Sequence, residues 1–277
     1  MPSAQTSRAK EPAGRNTTSD SAQISLNHAV YESRGSQRHY LFETLFPPEI
    51  ACLLKYQPWI SGRDVLDIGV GMGRTTRYLA PLARRYEAVD FSSLMVREMK
   101  SAMPGISVNQ ADFRNLSLFQ DASFDFVFAP NNVIDTLPHE GRLQALHETR
   151  RVLRPGGITA IASHNLKYHQ AFSSPHLAWT ADPFRLVFRF SQYLVSWRNY
   201  FRLKPLRRIT PEYALINDGG HYFSLLHYYV SRSNMASQLH GTGLSLQDVF
   251  DSHGNPLPEG ADESEDAALL YVARRNN

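Results

Sequence analysis

Apolar residues fall along the chain in short runs of strand length at 64–68, 86–89, 106–108, 124–129 and 158–162. Between them lie 74–82, 93–102 and 139–152, whose apolar positions recur at helical spacing. Strand and helix signals alternating at this interval are those of βα units, and they predict a mostly parallel sheet with helices on both faces. Ser92 or Ser93 is placed to cap the second helix, Pro130 ends the fourth strand, and Arg154-Pro155-Gly156-Gly157 turns the chain into the fifth. After Leu166 the rhythm breaks, and an insertion at about 166–230 precedes a last helix at 233–240 and apolar runs at 244–250 and 268–273. Residues 1–25 hold almost no large apolar side chains, so they cannot repay the entropy of ordering and are expected to be a disordered tail. Residues 26–60 are expected to form a helical cap, Pro47-Pro48 opening a helix that runs to about 56. The main domain is then 61–277.

Composition narrows the class. An apolar share of 42% suffices for a core. No run approaches the roughly 18 uninterrupted apolar residues of a membrane span, so a soluble protein is expected. Cys52 stands alone, which leaves no internal disulfide and no thiol cluster for zinc. A net charge of +3 and a pI near 9.0 are too modest to indicate nucleic acid. No apolar stretch of leader type follows the start, and Glu11 and Asp20 count against a transit peptide, so the cytoplasm is the default expectation.

The chemistry concentrates at 65–73, Val-Leu-Asp-Ile-Gly-Val-Gly-Met-Gly, a buried strand running into a three-glycine turn. Glycine lets the backbone close tightly and approach a ligand, and Asp90, at the end of the next apolar run, can accept both hydroxyls of a ribose. The pattern suits an adenosine-like molecule. A dinucleotide fingerprint would want its third glycine at position 74, where Arg74 stands, and the glycine comes one residue early at Gly73, so a nicotinamide cofactor is disfavoured.

With Asp67 two residues before Gly69, the stretch resembles motif I of the class I S-adenosylmethionine-dependent methyltransferases, and the order of motifs from Val65 to Val272 is similar to that family. The resemblance implies a Rossmann-like, seven-stranded mixed α/β sheet of order 3-2-1-4-5-7-6 with strand 7 antiparallel, helices on both faces and a helical lid insertion. It implies S-adenosyl-L-methionine as cofactor. Asp67, Gly69, Gly71 and Gly73 would hold its amino-acid end, and Asp90, Phe91 and Ser92 would lie at the ribose and adenosine. Asp112 and Phe113 would contact the adenine, and Asn131 and Asn132 would stand where the methyl group is delivered. The turn 153–157 matches the family's Leu-basic-Pro-Gly-Gly sequence and is structural.

Methyl transfer needs an aligned acceptor and, for a hydroxyl, a group to take its proton. His164 follows strand 5, at the end of the sheet where ligands of open α/β folds bind, and is the first candidate base; His221, in a glycine-rich turn, is the second. His227, Tyr222 and Tyr228 are candidates for the pocket wall. A metal site from His164, Asp218 and His221 is disfavoured because His164 is remote in sequence from the other two.

Between Pro183 and Pro211 the insertion carries Arg185, Arg189, Arg198, Arg202, Lys204, Arg207 and Arg208 and no acid. On a helix Arg185, Arg189, Gln192, Ser196 and Asn199 share a face, with Phe184, Val187, Phe188, Leu194, Val195 and Phe201 on others. Three readings stay open: a lid packed on the sheet with its arginines in water, recognition of an anionic acceptor, and contact of 184–208 with an anionic membrane surface. The leading function is methyl transfer to a hydroxyl, amine or thiol of a small organic acceptor, with the oligomeric state unspecified. Methylation of RNA or protein lacks a separate recognition domain, and nucleic acid is disfavoured as a partner; a non-catalytic cofactor-binding module is the other alternative.

Overall fold

A computed structural model describes residues 16–32 and 44–277. Residues 1–15 of the expected tail and 33–43 of the expected cap lie outside the described residues.

Every residue of β1 (Asp64–Ile68) is buried, as a central parallel strand requires. It pairs in parallel with β2 (Arg85–Asp90) on one side and β4 (Phe124–Ala129) on the other. β3 (Ser107–Gln110) extends the sheet beyond β2, and β5 (Leu153–Asn165) extends it beyond β4. The far edge of β5 carries β10 (Ala268–Arg275), antiparallel, and then β9 (Leu244–Phe250). The spatial order β3-β2-β1-β4-β5-β10-β9 is the expected seven-stranded arrangement, with the last strand in sequence antiparallel inside it.

Side chains alternate between two cores with the two-residue period of a strand. Val65, Phe126, Phe128, Ile158, Ala160, Leu270 and Val272 pack on one face with Cys52, Ile60 and Leu79. Leu66, Ile68, Val127, Ala129, Ile161, Leu269 and Tyr271 pack on the other with Leu146, Met235 and Leu239. The first face is covered partly by α2 (Pro47–Lys55), which Glu49 fastens to Arg74 through a bidentate ion pair at 2.5 and 2.7 Å. The second face is covered by α5 (His139–Val152) and α7 (Arg232–Gly241), while α4 (Ser93–Ala102) follows β2 with Ser92 as its N-cap.

Three regions differ from expectation. Residues 16–25, expected to be disordered, belong to helix α1 (Asn16–Tyr31). Its polar side chains are themselves the anchors: Asn27 Nδ2 donates to the carbonyls of Leu226 at 2.9 Å and Thr136 at 3.0 Å, and Asn27 Oδ1 accepts the N–H of Leu226. The helix expected at 74–82 shrinks to α3 (Thr76–Leu79), because the glycine turn occupies its start and Pro81 follows its C-cap. The turn at 153–157 sits inside β5 as a bulge, the pairing jumping from Phe124–Leu153 to Phe126–Ile158 with Gly156 at φ +75°.

The insertion is only partly helical. After α6 (Pro183–Leu203) come β6 (Arg208–Ile209), β7 (Tyr213–Ile216) and β8 (His227–Val230), an antiparallel ribbon. β8 pairs in parallel with His164 and Asn165 of β5. Since β10 already occupies the other edge at His164, β8 takes the edge that β4 leaves after Ala129, and so overhangs the carboxyl ends of the central strands, where the sheet binds ligands.

Candidate active site

β1 delivers the chain into the turn Gly69-Val70-Gly71-Met72-Gly73. Gly69 has φ +71° and donates its N–H to Val89 O at 2.8 Å; a Cβ there would stand 2.4 Å from Val133 Cγ2, so no side chain fits. Gly71, at φ +54°, meets nothing within 4 Å of where its Cβ would be, and it lines a cavity shared with Gly69, Val70, Asp90, Phe91, Asp112, Phe113 and Asn131. The Gly71 N–H donates to Asp90 Oδ2 and the Ser92 N–H to Asp90 Oδ1, both at 2.8 Å, which fixes the carboxylate at the cavity wall. Burial pushes the Asp90 carboxyl above its ordinary range, and those two N–H groups offset the push in part. Asp112 is tied to Arg114 by side-chain bonds of 2.5–3.1 Å. Burial opposes its charge, but the Arg114 bonds win and hold it below the usual carboxylate range.

Two residues of the glycine motif stand behind the wall. Asp67 is wholly buried; its Oδ2 accepts the hydroxyls of Thr75 at 2.5 Å and Tyr86 at 2.7 Å, while its Oδ1 has no hydrogen-bond partner among the described residues. Burial raises its carboxyl to about 6 against the pull of those two hydroxyls. Gly73 faces Met103, whose Cε lies 2.9 Å from a Cβ built there.

α1 closes the cavity with residues that nothing in the motif pattern singles out. Ile24, Asn27, His28 and Tyr31 line it, the His28 ring stands edge-on to Phe91 with centroids 4.6 Å apart, and Glu32 accepts the Ser93 N–H at the start of α4.

At the other end, Pro130 leads into Asn131 and Asn132, both left-handed at φ +51° and +57°, a conformation asparagine tolerates better than most residues. The short helical turn Val133–Thr136 then buries Asp135 completely. Asp135 Oδ2 accepts from the backbone N–H of His164 at 2.6 Å and from its Nδ1 at 2.8 Å; Oδ1 accepts from Ser163 Oγ at 2.7 Å and Arg142 Nη1 at 2.5 Å. Because the carboxylate can only accept, Nδ1 carries the hydrogen and Nε2 is left as the basic nitrogen, 3.2 Å from Asn132 Nδ2.

A second acid–histidine pair abuts the first. Asp218 Oδ2 accepts from His227 Nδ1 and from the Tyr229 hydroxyl, each at 2.8 Å, and lies 4.0 Å from His164 Nε2; the His164 ring stacks on His227 at 5.0 Å and on Tyr229 at 4.8 Å. Burial works against the Asp218 charge, but His227, His164 and Tyr229 outweigh it and hold the carboxyl below its usual range. Burial likewise favours a neutral His227, and Asp218 reverses this and raises it.

The structure thus brings His164 and Asp218 together with His227, the remaining candidate for the wall, and not with His221. The ligating atoms of these three residues lie within 4.8 Å of one another, so they are a set able to hold a metal ion. His221 instead meets Tyr31 of the cavity wall, ring centroids 5.8 Å apart, from a turn in which His221, Tyr222 and Phe223 are all left-handed. Tyr228 is buried, hydrogen-bonded to His139 and Gln238, and neither it nor Tyr222 lines the cavity. Nor does any of the seven basic residues between Pro183 and Pro211; the cavity's arginines are Arg74 and Arg114.

Residues 65–157 match the family model described as "Methyltransferase domain". Residues 65–157 are thus a methyltransferase domain, as the order of motifs implies. The domain is 31% identical over 147 residues to a malonyl-[acyl-carrier protein] O-methyltransferase of Pseudescherichia vulneris, covering 52% of this chain and 57% of that protein. It is 38% identical over 112 residues to a trans-aconitate 2-methyltransferase of Azoarcus sp. strain BH72, covering 39% and 42%. The chain spans about half or less of the length of these curated relatives. The fold is shared with the 1,6-didemethyltoxoflavin-N1-methyltransferase of Burkholderia thailandensis, solved with 1,6-didemethyltoxoflavin and S-adenosylhomocysteine, at TM-score 0.59 and 15% identity over 97% of this chain and 94% of that one. An S-adenosylmethionine-dependent methyltransferase of Mesorhizobium loti matches at TM-score 0.55 and 18% identity over 82% and 98%.

The cavity fits S-adenosylmethionine, the cofactor that the motif resemblance implies. Gly71 leaves open the space a side chain would fill, an acceptor-only carboxylate stands at its N–H, and Phe91, Met95 and Phe113 offer apolar surface beside it. Asp90→Ala is expected to weaken S-adenosylmethionine binding by about 1–3 kcal/mol, the range for hydrogen bonds to a charged group. Titration calorimetry checks this, and unchanged affinity would remove the ribose from Asp90.

Proposed function

We propose that this protein transfers the methyl group of S-adenosylmethionine, in the cytoplasm, to a hydroxyl or amine of a small organic acceptor, or to a thiol. The observation that carries the reading is the His164–Asp135 pair, which Asn132 joins to the turn after β4; Asn131, Val133 and Thr136 of that turn line the cavity, while Asn132 and His164 are not among its lining residues. Two relatives named for malonyl-[acyl-carrier protein] and trans-aconitate support an acceptor of metabolite type over nucleic acid.

When bound, the cofactor supplies a methyl group on a sulfonium sulfur that leaves as a neutral thioether. The residues of the chain do the rest. Asp90 holds the ribose, with Phe91, Asp112 and Phe113 along the adenosine. Gly69, Gly71 and Asn131 let the backbone lie against the amino-acid end. Asp67 and Gly73 act from behind, shaping the glycine turn without lining the cavity. As the acceptor's oxygen or nitrogen bonds to the methyl carbon, His164 Nε2 takes its proton, and Asp135 steadies the imidazolium through Nδ1–H. His221, beside Tyr31, orders the acceptor and is the second candidate base. α1 excludes water from the reacting centre.

Release of S-adenosylhomocysteine, followed by mass spectrometry against a panel of hydroxy, amino, thiol and carboxylic metabolites, tests the reading. One acceptor gaining a single methyl mass is the expected result. Cofactor binding with no turnover on any metabolite, but methylation of RNA or protein, would overturn the acceptor class.

A further inference from the structure

The orientation of α6 is opposite to that of a helix packed as a lid. Its inward side carries Gln192, whose Nε2 donates to the Tyr222 hydroxyl at 2.7 Å, Asn199, whose Nδ2 donates to Tyr222 O at 2.9 Å, and Ser196. Only Ser196 and Leu203 of the 21 residues are buried. The outward stripe, in which Val187, Leu194 and Phe201 are seven apart as are Phe188 and Val195, is Phe184, Val187, Phe188, Leu194, Val195 and Phe201, with exposures of 87%, 72%, 64%, 53%, 45% and 61%. Trp179, just before the helix, is 75% exposed. An apolar side chain left in water forgoes about 1.5–3 kcal/mol of burial, so six on one stripe mark a surface made for another phase or partner.

Charge identifies that partner. Arg198, Arg202 and Lys204 are exposed on the same helix and its end, Arg185 is exposed and paired with the N-cap Asp182 at 3.4 Å, and no acid occurs from 183 to 211. No helix among the described residues is long and apolar enough to cross a membrane. A basic helix with an outward apolar stripe lies in the interfacial plane, its apolar residues at the boundary of headgroups and acyl chains and its cations at lipid phosphates. We propose that α6 docks this protein on an anionic phospholipid surface. The docked helix also holds Tyr222, the neighbour of His221 at the cavity, so the membrane contact and the acceptor end of the site share one strained turn.

Sedimentation of the full chain with vesicles tests the proposal, using phosphatidylcholine alone or mixed with an equal part of phosphatidylglycerol. Uptake by the mixed vesicles alone, falling as salt is raised, is the expected result. A variant with Arg185→Gln, Arg198→Gln and Arg202→Gln should partition about a hundredfold more weakly, at roughly one kilocalorie per mole for each basic residue near the surface. Phe184→Ser with Phe188→Ser should abolish uptake. Far-ultraviolet circular dichroism and retained S-adenosylhomocysteine binding would show that both variants fold. Failure of the wild type to enter mixed vesicles overturns the proposal. If light scattering then finds a dimer that Phe188→Ser dissociates, the stripe belongs to a second copy of the chain. None of these readouts depends on turnover, so they stand apart from the methyl-transfer reading.

Discussion

Replacing His164 by alanine is expected to lower turnover by about 10²–10⁴-fold, the span of a positioned general base, while S-adenosylhomocysteine affinity stays within about twofold. The expectation follows from how the ring is held. Its Nδ1–H is fixed by a carboxylate that has no exposure at all, and His227 and Tyr229 stack on it. The basic Nε2 therefore points one way in one tautomer. Asp135→Asn should lose much of the same rate, since an amide can present its N–H to Nδ1 and turn the proton-bearing nitrogen toward the acceptor. Single-turnover rates with the preferred acceptor, alongside cofactor calorimetry, separate chemistry from binding. A rate unchanged in His164→Ala would remove that ring as the base and leave His221 or alignment alone. The same measurement with a chelator distinguishes the two uses of the cluster: loss of rate on chelation would make His164, Asp218 and His227 metal ligands and withdraw the base assignment.

What could be read before folding and what could not divides along a physical line. The strand 65–68 and its turn were legible because a buried parallel strand must be continuously apolar and a close backbone approach excludes Cβ; both are local demands written in adjacent residues. Apolar runs marked the other strands too, down to β10 as the run 268–273, while their order in the sheet came from the motif resemblance. Asp135 was not legible. It lies between Ile134 and Thr136 as any acid in a short turn would, and its burial arises only when Arg142 of α5 and the adjacent Ser163 and His164 of β5 converge on it. An arginine seven residues on, in the first turn of α5, was the one available hint. α1 was missed for the converse reason: its helix is stabilised by Asn27 clasping Leu226, about two hundred residues away, which no local pattern reports. For α6 the two faces were separated correctly by period, but periodicity does not say which face turns inward, and here the polar face does.

Arg142→Met is expected to destabilise the protein by about 3–5 kcal/mol, the cost of stripping the partner from a buried charge. Arg142 has no solvent exposure; besides Asp135 it donates to Ser163 Oγ at 3.0 Å and Gln238 Oε1 at 2.9 Å, and its guanidinium lies over the Tyr228 ring at 4.6 Å. Methionine fills the volume and supplies none of these donors, so the penalty comes chiefly from the Asp135 carboxylate left in a medium that cannot solvate it. Adding Asp135→Asn to Arg142→Met should recover part of the loss by removing that charge, although the His164 defect remains. Urea unfolding of the single and double variants gives the coupling directly. A loss under about 1 kcal/mol in the single variant would mean that Asp135 finds water or another donor once Arg142 is gone. In that case the carboxylate would not be a rigid support for His164, and its ring would no longer be held in a single tautomer with Nε2 as the basic nitrogen.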